Sequence, residues 1–488
     1  MQDFLPVLRL LCGLLGIFSA TLCVPLATSI LGKEQLWADY ALPMLIGMFA
    51  GALGFYRLRH CRQELQPRHG IMLVTSVWFL LPAFAAIPIW LISHQINAPI
   101  GIAPAYFEAV SGLSTSGATV LTSLDTLPLS LNMWRTFMQW QGGMGILILA
   151  VAVLPMLGVG GSQVFKSEVA GPIKDTKLTP RITQTAKGLW SVYLGLSILC
   201  FLAYWVAGMP AVDALMHMFT TVSLGGLSSY DSSFGHFDSA LLETISTLIM
   251  LIASCNFALY FVAMRKRSLR GFWREAEVRA TIGTLVIGGL IISLFLWWKN
   301  IYALPEALRY GMFNTISLAT TTGYATADYM HWPIFAPMLM LLLSSVASSA
   351  GSTGGGIKMI RALILLQQAK RELIRLVHPR VMNPVRMNGD MVDNKVIFSI
   401  LAFILFYTCS IIVLSMLLIM TGIEPVTAFS AILASINCAG IGLADVGPSG
   451  NYSFMTDFQL SICSFAMLLG RLEILSVMVL LLPSFWRR

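Results

Sequence analysis

The feature that most constrains this chain is an internal repetition. Four times, an apolar run is followed by a proline that opens a short amphiphilic stretch. Each stretch ends in a loop rich in Ser, Thr and Gly, and a second apolar run then follows. The stretches occupy 104–120, 210–229, 305–326 and 425–444, opening at Pro104, Pro210, Pro305 and Pro425. Their central glycines, Gly117, Gly225, Gly323 and Gly440, lie 13, 15, 18 and 15 residues beyond the proline. Two further apolar runs, near 7–31 and 39–56, precede the first unit.

Composition says what surrounds the apolar runs. Of 488 residues, 57% are hydrophobic and 11% charged, with a mean hydropathy of +0.77, whereas soluble domains carry about 25% charged residues. Such a chain could not cover its own surface with polar groups. Runs such as Ile71–Ile92, Trp134–Met156, Gly188–Val206 and Lys395–Met420 match the roughly 20 apolar residues a spanning helix needs. The class is therefore a polytopic all-α membrane protein, which excludes soluble enzymes, secreted disulfide scaffolds and nucleic-acid modules. The first apolar stretch, from Val7 to Leu31, is too long for a cleavable signal. The eight cysteines form no CxxC pair or Cys/His cluster, so neither a disulfide frame nor a resident metal site is indicated.

Length dictates the shape of one unit. Proline is favoured at the first helical position, where its missing N–H would be unpaired anyway. About 12 helical residues rise about 18 Å, well short of the hydrocarbon core. Such a helix enters the membrane and cannot cross it, so the chain turns back through a loop. Non-helical backbone at that depth survives only inside protein or along a wet cavity. Each unit thus reads as span, half-helix, loop, span. With two full spans per unit, successive units keep one orientation, unlike inverted-repeat transporters. Four like-oriented loops around one axis make a pore.

The 31 Lys and Arg sort by side. Twenty-four fall on one face: Arg9, Arg57, Arg59, Arg62, Arg68, Lys166, Lys174, Lys177, Arg181, Lys187, Arg265, Lys266, Arg267, Arg270, Arg274, Arg279, Lys370, Arg371, Arg375, Arg380, Arg386, Lys395, Arg487 and Arg488. Lys33, Arg135, Lys299 and Arg309 lie opposite, while Lys358, Arg361 and Arg471 sit in or beside apolar segments. The positive-inside rule puts the basic face, and both termini, in the cytoplasm. The opposite face holds Asp125, Asp213, Asp231, Asp238, Glu306, Asp328, Glu424, Asp445 and Asp457. That excess of acid would concentrate cations at an outer vestibule, or simply reflects that acids are tolerated there.

Aligned on their central glycines, the loops read Thr115-Ser116-Gly117, Ser223-Leu224-Gly225, Thr321-Thr322-Gly323 and Cys438-Ala439-Gly440. Small residues around a glycine allow positive φ and close approach of four backbones. Rings of carbonyls from Ser116, Gly117, Leu224, Gly225, Thr322, Gly323, Ala439 and Gly440 could replace the hydration shell of a monovalent cation. The C-terminal ends of the half-helices would add a negative field below. No carboxylate lies in these segments, so a divalent-cation ring is not indicated.

These residues carry a resemblance. Thr321-Thr-Gly-Tyr-Ala325 resembles the TVGYG filter of potassium channels, and the four-unit chain with two leading spans resembles the TrkH-type subunits of the Trk/Ktr/HKT superfamily. The likeness covers essentially the whole chain. It implies potassium as the transported ion, with no cofactor bound by this chain. It also implies a homodimeric membrane part in a bacterial cytoplasmic (inner) membrane and a cytosolic TrkA-type nucleotide-binding ring. Gly117 at the first filter implies potassium preference. Leu224, where a small hydroxyl residue is usual, and Ile441, where proline is common, are departures that would loosen discrimination against sodium.

The second span of unit three is interrupted at Ser348–Gly356, which includes Gly351, Gly354, Gly355 and Gly356. Glycine in a helix interior costs about 1 kcal/mol relative to alanine, so the helix should break there. A phosphate-binding P-loop is not indicated, because Ile357 separates the last Gly from Lys358 and Met359 follows it. The expectation is a loop crossing the pore beneath the filter, the bland alternative being a kink. Arg471 lies mid-span in the last unit, where a charge costs about 2.5–3.5 kcal/mol on insertion scales. The resemblance implies that it projects into the pore as an electrostatic barrier; a buried ion pair is the alternative. Lys358 is a second candidate for that role. Glu473, only two residues from Arg471, lies on a different helix face.

The domain reading is two leading spans at 1–68 and pore repeats at 69–187, 188–274, 275–386 and 387–488. The basic loops at 265–274 and 370–386 could dock the cytosolic ring, or could contact anionic membrane lipid. A proton- or sodium-coupled potassium symporter, or a less selective potassium/sodium translocator, remains open. An enzyme is not indicated: neither His217, in a half-helix, nor His331, in an outer loop, has a paired acid or serine motif.

Overall fold

The computed structural model describes residues 4–61, 66–152 and 178–486. Arg62, Lys166, Lys174, Lys177, Arg487 and Arg488 of the basic face, and the 153–156 end of the Trp134–Met156 run, lie outside the described residues.

The chain opens with α1 (Leu5–Ala20) and α2 (Cys23–Leu31), which together make one 27-residue apolar span, and α3 (Trp37–Arg57) returns beside them. Unit one consists of α4 (Pro67–Gln95), the half-helix α5 (Ile102–Leu113) and α6 (Leu129–Ala152). Unit two follows with α7 (Leu178–Val206), the half-helix α8 (Ala211–Val222) and the pair α9 (Ala240–Ala253) and α10 (Phe257–Lys266). The short α11 (Arg270–Arg274) leads to unit three: α12 (Ala276–Trp298), half-helix α13 (Leu304–Ala319), α14 (Phe335–Ser344) and α15 (Met359–Val377). A small hairpin, β1 (Arg386–Met387) against β2 (Asp390–Met391) with Arg386 opposite Met391, precedes unit four. That unit holds α16 (Asn394–Met420), half-helix α17 (Pro425–Asn437), α18 (Asp457–Arg471), α19 (Leu475–Leu480) and α20 (Pro483–Trp486).

Six described helices are long and apolar enough to cross a membrane: the two leading ones and the first span of each unit. The second spans are the interrupted ones. α9 and α10 meet at 88° around Ser254–Asn256. α14 and α15 are separated by residues 345–358, and α18 stops at Arg471 before α19 resumes. Only α6 runs unbroken over its described length.

The half-helices have 12, 12, 16 and 13 residues, a rise of about 18–24 Å that cannot reach across. The prolines do not all open them. Pro104 is the third residue of α5, Pro210 precedes α8, Pro305 is second in α13, and Pro425 alone is first in its helix. All four positions lie where a backbone N–H has no partner in the preceding turn, so each can accept proline. No side chain caps any of the four N-termini.

Polarity is arranged inside out. The outward faces of the leading and first spans carry bare apolar side chains, with Phe49 71% and Phe398 70% exposed, as lipid contact requires. The hydroxyls of the half-helices and loops are buried instead: Ser111, Thr220, Ser317 and Ser435 at most 1% exposed. The interior is therefore a polar layer whose hydroxyls must find partners within the protein.

Candidate selectivity filter and gate

Hydrogen bonds set the register of the four loops. Each half-helix ends by donating a backbone N–H to a carbonyl five residues back: Ser116 to Ser111 (2.9 Å), Gly225 to Thr220 (2.8 Å), Thr322 to Ser317 (2.8 Å) and Ala439 to Ala434 (2.8 Å). One residue earlier, Thr115, Leu224, Thr321 and Cys438 are left-handed, with φ of 56°, 54°, 64° and 55°. One residue later, Gly117, Gly226, Gly323 and Gly440 have φ of 85°, 70°, 84° and 73°. The second loop is therefore Leu224-Gly225-Gly226, one residue on from the alignment on Gly225. Ser223 is the αR residue that closes α8, equivalent to Ser114. Gly225, not Leu224, occupies the place of Ser116, Thr322 and Ala439, so the loop does not put leucine where a small residue is usual. The Gly225-Gly226 doublet offers two registers to a sequence alignment, and only the backbone chooses between them.

The same glycines close a ring. A methyl group on Gly117 would overlap the Gly225 carbonyl, one on Gly226 the Thr322 carbonyl, one on Gly323 the Ala439 carbonyl, and one on Gly440 the Ser116 carbonyl. Each loop thus packs its glycine against the next loop's carbonyl, in the order one, two, three, four and back to one. Any side chain would push the four strands apart, which is the physical reason for glycine here.

Buried polar side chains hold each loop to its half-helix. In unit one, Glu108 and Arg135, both fully buried, pair at 2.7 Å. Glu108 also accepts the Val120 N–H (3.1 Å), and Arg135 donates to the Thr119 hydroxyl (3.0 Å). In unit two His217 Nε2 meets the Ser228 hydroxyl (3.0 Å) and Nδ1 meets the Asp213 carbonyl (2.9 Å). In unit three Asn314 accepts the Thr326 N–H (3.1 Å), and in unit four Ser430 accepts that of Leu443 (3.0 Å). The Tyr324 hydroxyl reaches Thr220, Thr221 and the His217 carbonyl, tying loop three to α8. Arg135, counted from sequence among the cations opposite the basic face, is thus a buried loop anchor. Arg309 is likewise neutralised, by Glu243 (2.7 Å) and Asp238 (2.8 Å). His331 has an acid beside it after all: its Nδ1 lies 3.3 Å from Asp328, at an exposed site.

Toward the acidic face, a cavity opens over the ring. Gly117, Gly226, Gly323 and Gly440 form its floor, and Asp231 is the one charged residue among the described residues lining it. Asp231 accepts the Leu124 N–H at 3.0 Å. Two more carboxylates stand beside it: Asp125 accepts the Asp231 N–H at 3.3 Å, and Asp213 accepts the Tyr230 hydroxyl at 3.0 Å.

Toward the basic face, the interrupted span of unit three closes over the ends of the half-helices. The Thr353 hydroxyl donates to the Val222 carbonyl (3.3 Å), and the Gly355 N–H donates to the Thr321 hydroxyl (3.2 Å). A methyl on Gly355 would strike the Asn437 carbonyl. Three half-helix ends thus meet one loop. Its other side is bonded to the break in unit two: the Ser349 N–H to the Ser254 carbonyl (3.0 Å) and the Phe257 N–H to the Gly351 carbonyl (3.1 Å). Glu277 accepts the N–H groups of Ala350 (2.6 Å) and Ile360 (3.3 Å), gripping both ends of the loop.

Arg471, 6% exposed, donates from one terminal nitrogen to the Thr353 carbonyl (2.9 Å), while its Nε and other terminal nitrogen have no protein partner. The negative ends of the half-helix dipoles converge nearby, which offsets part of the cost of burying an unpaired cation. Lys358 is placed differently from expectation. Its Nζ pairs with Glu473 at 2.7 Å, and Arg361 pairs with the other Glu473 oxygen at 2.8 Å. Glu473 escapes the helix-face argument because the helix ends at Arg471 and Glu473 is left-handed, φ 52°.

The structure brings Thr115, Ser116, Gly117, Gly225, Thr321, Thr322, Gly323, Cys438, Ala439 and Gly440 together, adds Gly226, and sets Ser223 behind. Gly351, Gly354, Gly355 and Gly356 form the loop beneath, with Arg471 against it. Sequence reasoning missed Glu108, Gln139, Glu277 and Tyr452. A carboxylate inside an apolar half-helix was a usable signal for Glu108; the others carry none without neighbours.

A family model described as TrkH, cation transport protein, matches residues 43–487. The chain is 39% identical over 489 residues to the Trk system potassium uptake protein TrkH of Vibrio parahaemolyticus, covering 100% of both. It is 40% identical over 484 residues to that of Halomonas elongata, covering 99% of each, and 34% identical over 479 residues to TrkG of Escherichia coli, covering 98% of each. The crystal structure of the potassium transporter TrkH from Vibrio parahaemolyticus superposes with a TM-score of 0.92 at 37% identity, covering 99% of this chain and 100% of that one.

Proposed function

The chain belongs to the TrkH family of cation transport proteins, and on that premise we propose that it takes up potassium through the four-loop ring. It is a multi-pass membrane transporter, not an enzyme. The observation that carries the reading is the closed glycine–carbonyl ring of Gly117, Gly226, Gly323 and Gly440 beneath a vestibule holding Asp231. Carbonyls of Ser116, Gly117, Gly225, Gly226, Thr322, Gly323, Ala439 and Gly440 are the ligands that replace water around a dehydrated K+.

The loop at 351–356 and Arg471 form the gate in its closed position. The loop occupies the space below three half-helix ends, and a cation there repels K+ across a few ångströms of low-dielectric protein. Opening requires the loop to leave Val222, Thr321 and Asn437. A TrkA-type nucleotide-binding ring on the basic face, around 265–274 and 370–386, supplies the pull, in a homodimer whose two termini are cytoplasmic and whose membrane is the bacterial inner one. The repeats divide at 1–68, 69–187, 188–274, 275–386 and 387–488.

Potassium and sodium flux into liposomes carrying the purified chain tests the reading. Gly117→Ser should raise sodium relative to potassium flux, because the added side chain meets the Gly225 carbonyl. An unchanged ratio in folded protein would remove this loop from the filter.

A further inference from the structure

Gln139, on α6 of unit one, is fully buried and bonded to the filter loop of unit two. Its Nε2 donates to the Gly225 carbonyl at 2.7 Å, and its Oε1 accepts the Leu227 N–H at 3.2 Å. The carboxamide therefore grips the peptides on both sides of Gly226, whose φ is 70°. Among the described residues, no side chain donates to the equivalent carbonyls of Ser116, Thr322 or Ala439. The nearest parallel is the Tyr452 hydroxyl, which donates to the Gly440 carbonyl at 3.1 Å.

We propose that Gln139 is a positioning residue for ion selectivity, clamping the second filter loop and weakening the Gly225 carbonyl as a cation ligand. This rests on the four loops being the filter. Two physical effects act together. A carbonyl oxygen that already accepts an N–H bond presents a lower field, and carbonyl field strength is one of the terms by which a filter separates K+ from Na+. Sodium, the more strongly hydrated ion, loses more from a weak ligand. The two-point grip also denies Gly226 the conformational freedom that would let the ring contract around a smaller ion.

Gln139→Met keeps the volume and removes both bonds, while Gln139→Glu keeps an acceptor for Leu227 and removes the donor to Gly225. Each full-length variant is reconstituted in liposomes beside Gly117→Ser, and potassium and sodium fluxes are compared. The expected result is a several-fold fall in the potassium-to-sodium ratio for Gln139→Met. Gln139→Glu should fall in the same direction, and it decides the matter if the Met variant does not fold. A ratio unchanged at Gln139 but altered by Gly117→Ser would overturn the role of Gln139 and leave the filter standing. Ratios unchanged in all variants would overturn the filter, and the clamp with it.

Discussion

Lys358 and Glu473 face each other across two interrupted spans, 2.7 Å apart, and both hold backbone of positive φ, 66° and 52°. A non-glycine residue in that region costs about 1–3 kcal/mol unless its surroundings hold it. Here each break is held by the other: the start of α15 is tied to the end of α18 through one carboxylate that also binds Arg361. The loop at 351–356, proposed above as the gate, is thereby latched to the segment that carries Arg471.

Glu473→Gln should loosen that latch. Two cations would lose their shared counter-charge, and a loop held by fewer contacts would open more often. The expected outcome is higher potassium flux into liposomes without any partner; flux unchanged in folded protein would show that the pair plays no part in gating.

Removing the proposed barrier itself should give a related result by another route. Arg471→Ala, or deletion of 351–356, should also raise partner-free potassium flux. A lower flux in protein that remains monodisperse would contradict the gate.

The register of the second loop can be checked by substitution. Gly226→Ala places a methyl against backbone at a φ of 70°, whereas the nearest atoms to a methyl at Gly225 belong to the Gln139 side chain, which can shift. Potassium flux should suffer much more from the first. Equal losses would favour the alignment on Gly225.

Glu108→Ala leaves Arg135 buried without its carboxylate, a loss of about 3–5 kcal/mol by analogy with other buried pairs. Thermal unfolding in detergent should show it as a large drop in Tm. The double variant Glu108→Met with Arg135→Met should recover part of that loss.

Asp231→Asn should slow potassium entry at low ionic strength and have little effect at high salt, since screening shortens the reach of an exposed carboxylate. Flux measured against salt concentration reads this directly, and a salt-independent loss would point to a structural role instead.

Several features were legible without coordinates because they depend on length and on single residues. A run of about 20 apolar residues spans and one of 12 does not, so the order of span, half-helix and loop follows along the chain. Three consecutive glycines, Gly354, Gly355 and Gly356, together weaken a helix by about 3 kcal/mol relative to alanine, and Arg471 in an apolar segment must find something polar. Tertiary structure decided the rest. Ion pairs such as Lys358–Glu473, 115 residues apart, exist only once two breaks are side by side. Whether Gly225 or Gly226 enters the ring depends on which carbonyl the neighbouring loop presents. Contacts between distant segments are set by packing geometry, and no local pattern of polarity or propensity encodes them.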